Sequence, residues 1–343
     1  MNNKDRVQKK DATITSDAPK RPKKEALESQ SKEPSPVFRL VRPKPNTPAK
    51  PRTKPPALPA GPSSRPARPE TQPASKPSLN SLQAKMLEAD KALAAGRLDE
   101  SIALFREAVE LGPSNPEALR GLAMGLLAAE RFQEAIPLYR KLIKLFPDDR
   151  TARFNLALGL AREGNFPEAE KAYWGLLERY PDSVQARANL GALYQTQGKL
   201  GEARKQWSEV TRLSPKLIKA YEALGEVLMD LEKPDEAMKA FAQAARLQPK
   251  QAGAWLNYAA AAAEAGSGGK TLAALQKAIK LAPLDAEAWS MQGDVLLELY
   301  RSKKERELLD RAVRSWKKSL EIDPSQDNLR ELLKTYGHFD KAG

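Results

Sequence analysis

Thiol and imidazole side chains, which often act in catalysis or bind metals, are scarce in this sequence of 343 residues. It contains no cysteine and one histidine, His338. Without a thiolate or a second imidazole, the chain cannot build a disulfide, a cysteine nucleophile or a histidine-based metal cluster of its own. The glycine-rich run 266–269 follows no strand and lacks the Lys-Ser/Thr pair of a phosphate-binding loop. We therefore expect no enzymatic activity, no cofactor and no metal site.

A different chemistry, the binding of polyanions, is indicated by basic clusters near the N-terminus. Residues 1–80 hold 18 Lys and Arg against 7 Asp and Glu, a net +11 of the +13 on the whole chain, and 16 of the 27 prolines. So few apolar residues cannot offset the entropy of ordering the segment. We predict that 1–80 is a disordered Pro/Lys/Arg-rich basic tail. It would contact nucleic acid or an acidic protein, or act only as a linker.

The remainder of the chain, from Leu82 onward, is rich in alanine, leucine and glutamate and has a constant period. Six prolines recur every 34 residues, at Pro113, Pro147, Pro181, Pro215, Pro249 and Pro283. When each proline is set at position 32 of a repeat, positions 8 and 20 are always small, being Gly, Ala, Ser or Thr. Position 24 is aromatic in six of the seven repeats. Small side chains permit two helices to approach closely, and large ones fill the space between neighbouring pairs.

Helical hairpins with this period and these positions resemble the tetratricopeptide-repeat (TPR) family. The resemblance covers 82–324 and implies an all-α superhelical solenoid of seven helical hairpins, which we assign to 81–324. The last repeat has 41 residues between Pro283 and Pro324. Its seven extra residues predict a final hairpin about one turn taller in each helix. Residues 325–343 are predicted to contain a capping helix that covers the last apolar face.

The resemblance also implies a concave groove lined by the first helix of each hairpin, with position 6 facing the groove. That position is Asn155, Asn189 and Asn257 in repeats three, four and six, and Ala223 interrupts the series. A side-chain amide both donates and accepts hydrogen bonds, so such a ladder suits the backbone of an extended peptide. The alternative is that Asn is simply common at this position in the family.

Several other conspicuous side chains have structural interpretations. Arg153 and Arg187 both occupy position 4, which does not match the carboxylate clamp of some TPR domains, and we expect them to be solvated or paired with acids. Trp255 and Trp289, also at position 4, are expected in the core. Trp174 is less constrained and free to be exposed.

One short apolar cluster interrupts the tail and consists of Val37, Phe38, Leu40 and Val41. Apolar residues isolated in a polar segment are often docking motifs that become ordered on binding. We predict that this cluster docks in extended form on a partner or in the chain's own groove. A chance cluster without a partner is the alternative.

These features predict a non-catalytic scaffold whose groove binds a peptide or helix of a partner protein. A nucleic-acid- or polyanion-associated protein anchored by its tail is the alternative, and an accessory subunit of an enzyme complex is a third hypothesis. No run approaches the ~20 apolar residues that cross a bilayer. The charged N-terminus lacks the apolar region of a signal peptide. We therefore expect a cytoplasmic protein without a transmembrane segment.

Overall fold

A computed structural model of the chain describes residues 79–336, and within them every regular element is an α-helix. The basic tail before residue 79, with its apolar cluster, and His338 lie outside the described residues. The helices are α1 (Leu79–Ala94), α2 (Leu98–Leu111), α3 (Pro116–Ala128), α4 (Phe132–Leu145), α5 (Arg150–Glu163), α6 (Phe166–Arg179), α7 (Val184–Thr196), α8 (Leu200–Leu213), α9 (Ile218–Asp230), α10 (Pro234–Leu247), α11 (Ala252–Glu264), α12 (Gly268–Leu281), α13 (Ala286–Lys303), α14 (Arg306–Ile322) and α15 (Asp327–Tyr336).

Each odd-numbered helix packs against the next even-numbered one, and the resulting hairpins stack in chain order. Seven hairpins run from α1/α2 to α13/α14, and α15 follows them. The predicted all-α solenoid of seven hairpins is therefore confirmed. Because each hairpin contacts mainly its neighbours, the core is a row of linked clusters along the stack.

Close packing within a hairpin depends on the small residue at position 8 most strictly where that residue is glycine. A Cβ atom on Gly293 would lie 2.3 Å from the indole nitrogen of Trp316, and one on Gly225 would lie 2.6 Å from the ring of Phe241. The residues at position 24 fill the space that these glycines leave open. Trp316 is fully buried, as are its counterparts in the second and third hairpins.

The turn between the two helices of a hairpin uses one residue with left-handed backbone. Glycine supplies it at Gly96, Gly164, Gly198 and Gly266, whose φ angles lie between 65° and 89°. Glu130, Glu232 and Lys304 adopt φ of 57–59° in the other hairpins. A residue with a side chain pays about 1–2 kcal/mol for this conformation, so these three turns are strained.

The final hairpin is taller than the others, as the inserted residues predict. Helix α13 has 18 residues and α14 has 17, whereas α3 and α4 have 13 and 14. Helix α15 then covers the hairpin's apolar face. Leu329 is fully buried there, and the ring of Tyr336 lies 6.3 Å from that of Trp316. This confirms the capping helix.

Candidate peptide-binding surface

The first helices of the hairpins share one side that faces away from their own second helices. In α9 the buried residues are Ala220, Gly225, Val227 and Leu228. At 100° per residue, positions 2, 5, 9 and 13 lie on the opposite side of the helix. We call the corresponding sides of α1, α3, α5, α7, α9, α11 and α13 the first-helix surface. In a repeat solenoid such a surface is continuous from hairpin to hairpin.

Two of the three predicted ladder residues are closed to a ligand in this conformation. Asn155 is 0% exposed and Asn189 is 1% exposed. The amide nitrogen of Asn189 donates to the hydroxyl of Tyr173 at 3.2 Å, and Asn155 lies near the hydroxyl of Tyr139. A ligand could reach these amides only if those interactions opened, so a groove role for them stays a prediction. Asn257 is exposed and remains available.

The difference among the asparagines has a cause in the preceding hairpin. Position 24 of that hairpin is a tyrosine before each buried asparagine and Phe241, which has no hydroxyl, before Asn257. Burial raises the pKa of Tyr139 and Tyr173, and the asparagine amides only partly offset it. Both hydroxyls therefore stay protonated at any physiological pH. The pairing of Tyr with a following Asn is visible in the sequence once the repeats are aligned.

The first-helix surface changes character along the stack. In α5, positions 5 and 9 are Phe154 and Leu158, which are 4% and 2% exposed. In α9, α11 and α13 the same side is open and carries acids. We call this part the acidic surface, and its acids are Glu222, Glu226, Asp230, Glu264, Asp294 and Glu298.

Neighbouring acids of this surface repel one another. Glu226 is exposed, yet enclosure by neighbouring protein raises the pKa of its carboxyl, and the charges of Glu222 and Asp230 raise it further. Enclosure likewise raises the pKa of Asp294, although the hydrogen bond that it accepts from Trp316 Nε1 at 2.9 Å acts to lower that pKa. An exposed carboxylate is partly desolvated in this way where other parts of the protein lie near it.

The side chains at position 4 brace the turns between hairpins, which corrects the interpretation of the arginines. Arg153 donates to the carbonyl of Pro147 through Nε and Nη2 at 2.9 and 2.8 Å, and Arg187 donates likewise to Pro181. They are thus neither simply solvated nor paired with acids. The same bond to the proline six residues earlier recurs in three further turns, from Trp255, Trp289 and Arg330.

The tryptophans divide as the sequence indicates, with one exception. Trp255 is buried, whereas Trp289 is only half-buried although it makes the same bond to the turn. Trp174 is 40% exposed. Its Nε1 donates to the hydroxyl of Tyr194 at 3.1 Å, and that hydroxyl donates to Glu170 at 2.9 Å. This chain of bonds joins the third hairpin to the fourth.

The described part of the chain holds neither a side-chain cluster suited to a metal centre nor a helix that could span a membrane. Among residues 79–336, no group of three His, Cys, Asp or Glu side chains is placed to hold a metal ion. None of the fifteen helices is both long and apolar enough to cross a membrane.

A stack of two-helix repeats, with the first helices aligned along one side, is the architecture of a helical-repeat solenoid protein. Tetratricopeptide repeat models match residues 86–150, 120–174, 154–216 and 272–319, and another such model matches 218–261. These matches span more than half of the chain, which therefore belongs to the tetratricopeptide-repeat family.

The chain is similar to several solved structures. The C-terminal part of a TPR protein from Cytophaga hutchinsonii matches with a TM-score of 0.61 and 16% identity, over 72% of this chain and 98% of that one. A TPR protein from Parabacteroides merdae matches at 0.49 and 18%, over 75% and 99%. YrrB, described as a TPR protein with an unusual peptide-binding site, matches at 0.49 and 22%, over 57% and 97%. No curated protein matches the chain significantly.

Proposed function

We propose that this chain is a non-catalytic scaffold that holds a segment of a partner protein on the open part of its first-helix surface, across α9, α11 and α13. The observation that carries the proposal is the change along that surface. Positions 5 and 9 are closed by apolar packing in α5, whereas in the later hairpins they are accessible. Asn257 adds an exposed amide at the same place, able to bond a peptide backbone.

The test compares two substitutions in the sixth hairpin of the full chain. Asn257→Arg places a bulky charge on the first-helix surface, and Gln276→Arg places the same charge at an exposed position of the second helix. Peptides selected from a displayed random library on the wild-type protein should bind Gln276→Arg unchanged. They should lose at least about ten-fold in affinity for Asn257→Arg, as expected at the centre of an interface. Equal affinities for the two variants would place binding elsewhere.

A second candidate function, the binding of polyanions by the tail, is favoured by the net charge of +11 on residues 1–80. Because each neutralised phosphate releases a counterion, nucleic-acid binding by this segment should weaken steeply as salt rises. Filter binding of the full chain and of a chain lacking 1–78, over a salt series, separates the two functions. If the full chain binds nucleic acid and the chain lacking 1–78 does not, the second candidate function is supported.

The docking of Val37, Phe38, Leu40 and Val41 also stays a prediction, since these residues lie outside the described part.

A further inference from the structure

Acids outnumber bases on the acidic surface. Within residues 79–336, no ion pair involves Glu222, Glu226, Asp230, Asp294 or Glu298, although acids on the second helices are regularly paired, as in Arg106–Glu134 at 2.6 Å and Arg140–Glu168 at 2.5 Å.

Two bases on the same helices reduce the negative charge of these acids without cancelling it. On the three first helices only Lys219 and Arg301 occupy the same side, and Arg301 is directed to the hydroxyl of Tyr336 at 3.4 Å. Like charges held one helical turn apart, as in Glu222, Glu226 and Asp230, favour binding of a cationic ligand, because the ligand relieves their repulsion as well as forming new pairs.

Several of the uncharged residues on this side of the helices are small or apolar. Ala223 and Ala260 are small and half-buried, and Met291 adds an apolar patch. Small side chains leave room for a backbone to approach, and the exposed amide of Asn257 lies beside them. This helix face therefore suits an extended segment that carries Lys or Arg and few bulky residues.

The chain itself contains such a segment. Residues 39–54 hold six Lys and Arg, no Asp or Glu, and four prolines. We propose that residues 39–54 dock on the acidic surface of α9, α11 and α13 and thereby compete with the partner segment. This inference rests on the proposed function, because it takes the same surface to be the partner's binding site.

The length of chain between the two elements permits the contact. Hairpins stacked about 10 Å apart place α11 about 50 Å from α1. The 24 residues between Lys54 and Leu79 span up to about 80 Å when extended. A tether of this length keeps the segment at an effective concentration of the order of millimolar. Weak ion pairs are then sufficient for substantial occupancy, and the occupancy must fall with salt.

The experiment uses the absence of cysteine, which makes introduced thiols the only ones. In the full chain, Thr47→Cys is combined with Ala260→Cys on the acidic surface, or with Gln276→Cys on the second helix of the same hairpin as a matched control. A short bismaleimide reports which pair comes into contact. We expect the Ala260→Cys pair to cross-link within one chain about ten-fold faster than the control, and the advantage to vanish in Glu222→Lys/Glu226→Lys and at high salt.

Three outcomes would overturn the proposal: equal rates for the two pairs, a rate that the charge reversals and salt leave unchanged, or products that join two chains instead of one. If the Glu222→Lys/Glu226→Lys variant fails to fold, the salt dependence of cross-linking between Thr47→Cys and Ala260→Cys in the otherwise wild-type chain still tests the proposal. Failure here is distinguishable from failure of the proposed function. If library peptides still discriminate Asn257→Arg while the cross-links show no preference, the scaffold function stands and the tail contact does not.

Discussion

The bond between Asn189 and Tyr173 gives a sharp prediction about what holds the third and fourth hairpins together. Both residues are almost fully buried, and 3.2 Å separates the amide nitrogen from the hydroxyl. Tyr173→Phe removes the acceptor without changing the ring. The amide would then be left with no acceptor among the described residues, and its oxygen already has no donor there. A buried polar group left unpaired costs about 1–3 kcal/mol, and we expect Tyr173→Phe to lower the free energy of unfolding by that amount.

The assay pairs this substitution with Asn189→Ala in a double-mutant cycle, followed by urea unfolding. Because a long repeat array need not unfold in two states, hydrogen exchange should show that the loss is centred on α6 and α7. The double variant removes both polar groups, so it should cost less than the sum of the single variants by about 1–2 kcal/mol. Tyr221→Phe is the control, since that half-buried hydroxyl has no hydrogen-bond partner among residues 79–336. Equal losses from Tyr173→Phe and Tyr221→Phe, or strict additivity in the cycle, would refute the reasoning.

Three further outcomes are expected from features of the hairpins. Glu232→Gly should raise the free energy of unfolding by about 0.5–1 kcal/mol, because glycine adopts the left-handed φ of 57° without strain; an unchanged urea midpoint would contradict this. Gly293→Ala should cost about 1–3 kcal/mol through overpacking against Trp316, whereas Gly175→Ala, whose Cβ meets nothing within 4 Å, should be neutral or stabilising. Glu226→Gln should raise the melting temperature at pH 7. The raised pKa of Glu226 makes its ionisation unfavourable in the folded state, so that gain should disappear as the pH falls below the ordinary value of 4.5. A gain independent of pH would show that charge is not its cause.

Periodic features of this fold could be predicted from the sequence because they repeat. The proline interval set the register, and the register then identified the small residues, such as Gly225 and Gly293, that bring the helices together. The seven extra residues of the last hairpin could be divided between two helices because only whole turns keep both apolar faces in phase. Each of these inferences compares equivalent positions, and none requires knowledge of a contact between particular atoms.

Features that depend on a particular partner atom could not be predicted in this way. The helical period indicates the side on which Asn189 lies, but its burial depends on a hydroxyl supplied by the preceding hairpin. The acceptor for Arg153 is a backbone carbonyl, which leaves no mark in a pattern of side chains. Likewise, alignment of positions 5 and 9 does not reveal that apolar packing closes the first-helix surface in α5 and leaves it open in α9.

The braces at position 4 have a consequence for how the solenoid responds to force. Where Arg or Trp bonds the proline carbonyl, the turn between hairpins is tied to the helix that follows it, and rotation there must break that bond. Two turns lack this tie: Leu119 follows Pro113 and Tyr221 follows Pro215 at the same spacing, and neither forms the bond in the described structure. The stiffness of the stack is therefore uneven. Under tension or thermal bending, compliance concentrates at the turn between α2 and α3 and at the turn between α8 and α9, and the acidic surface begins at the second of these.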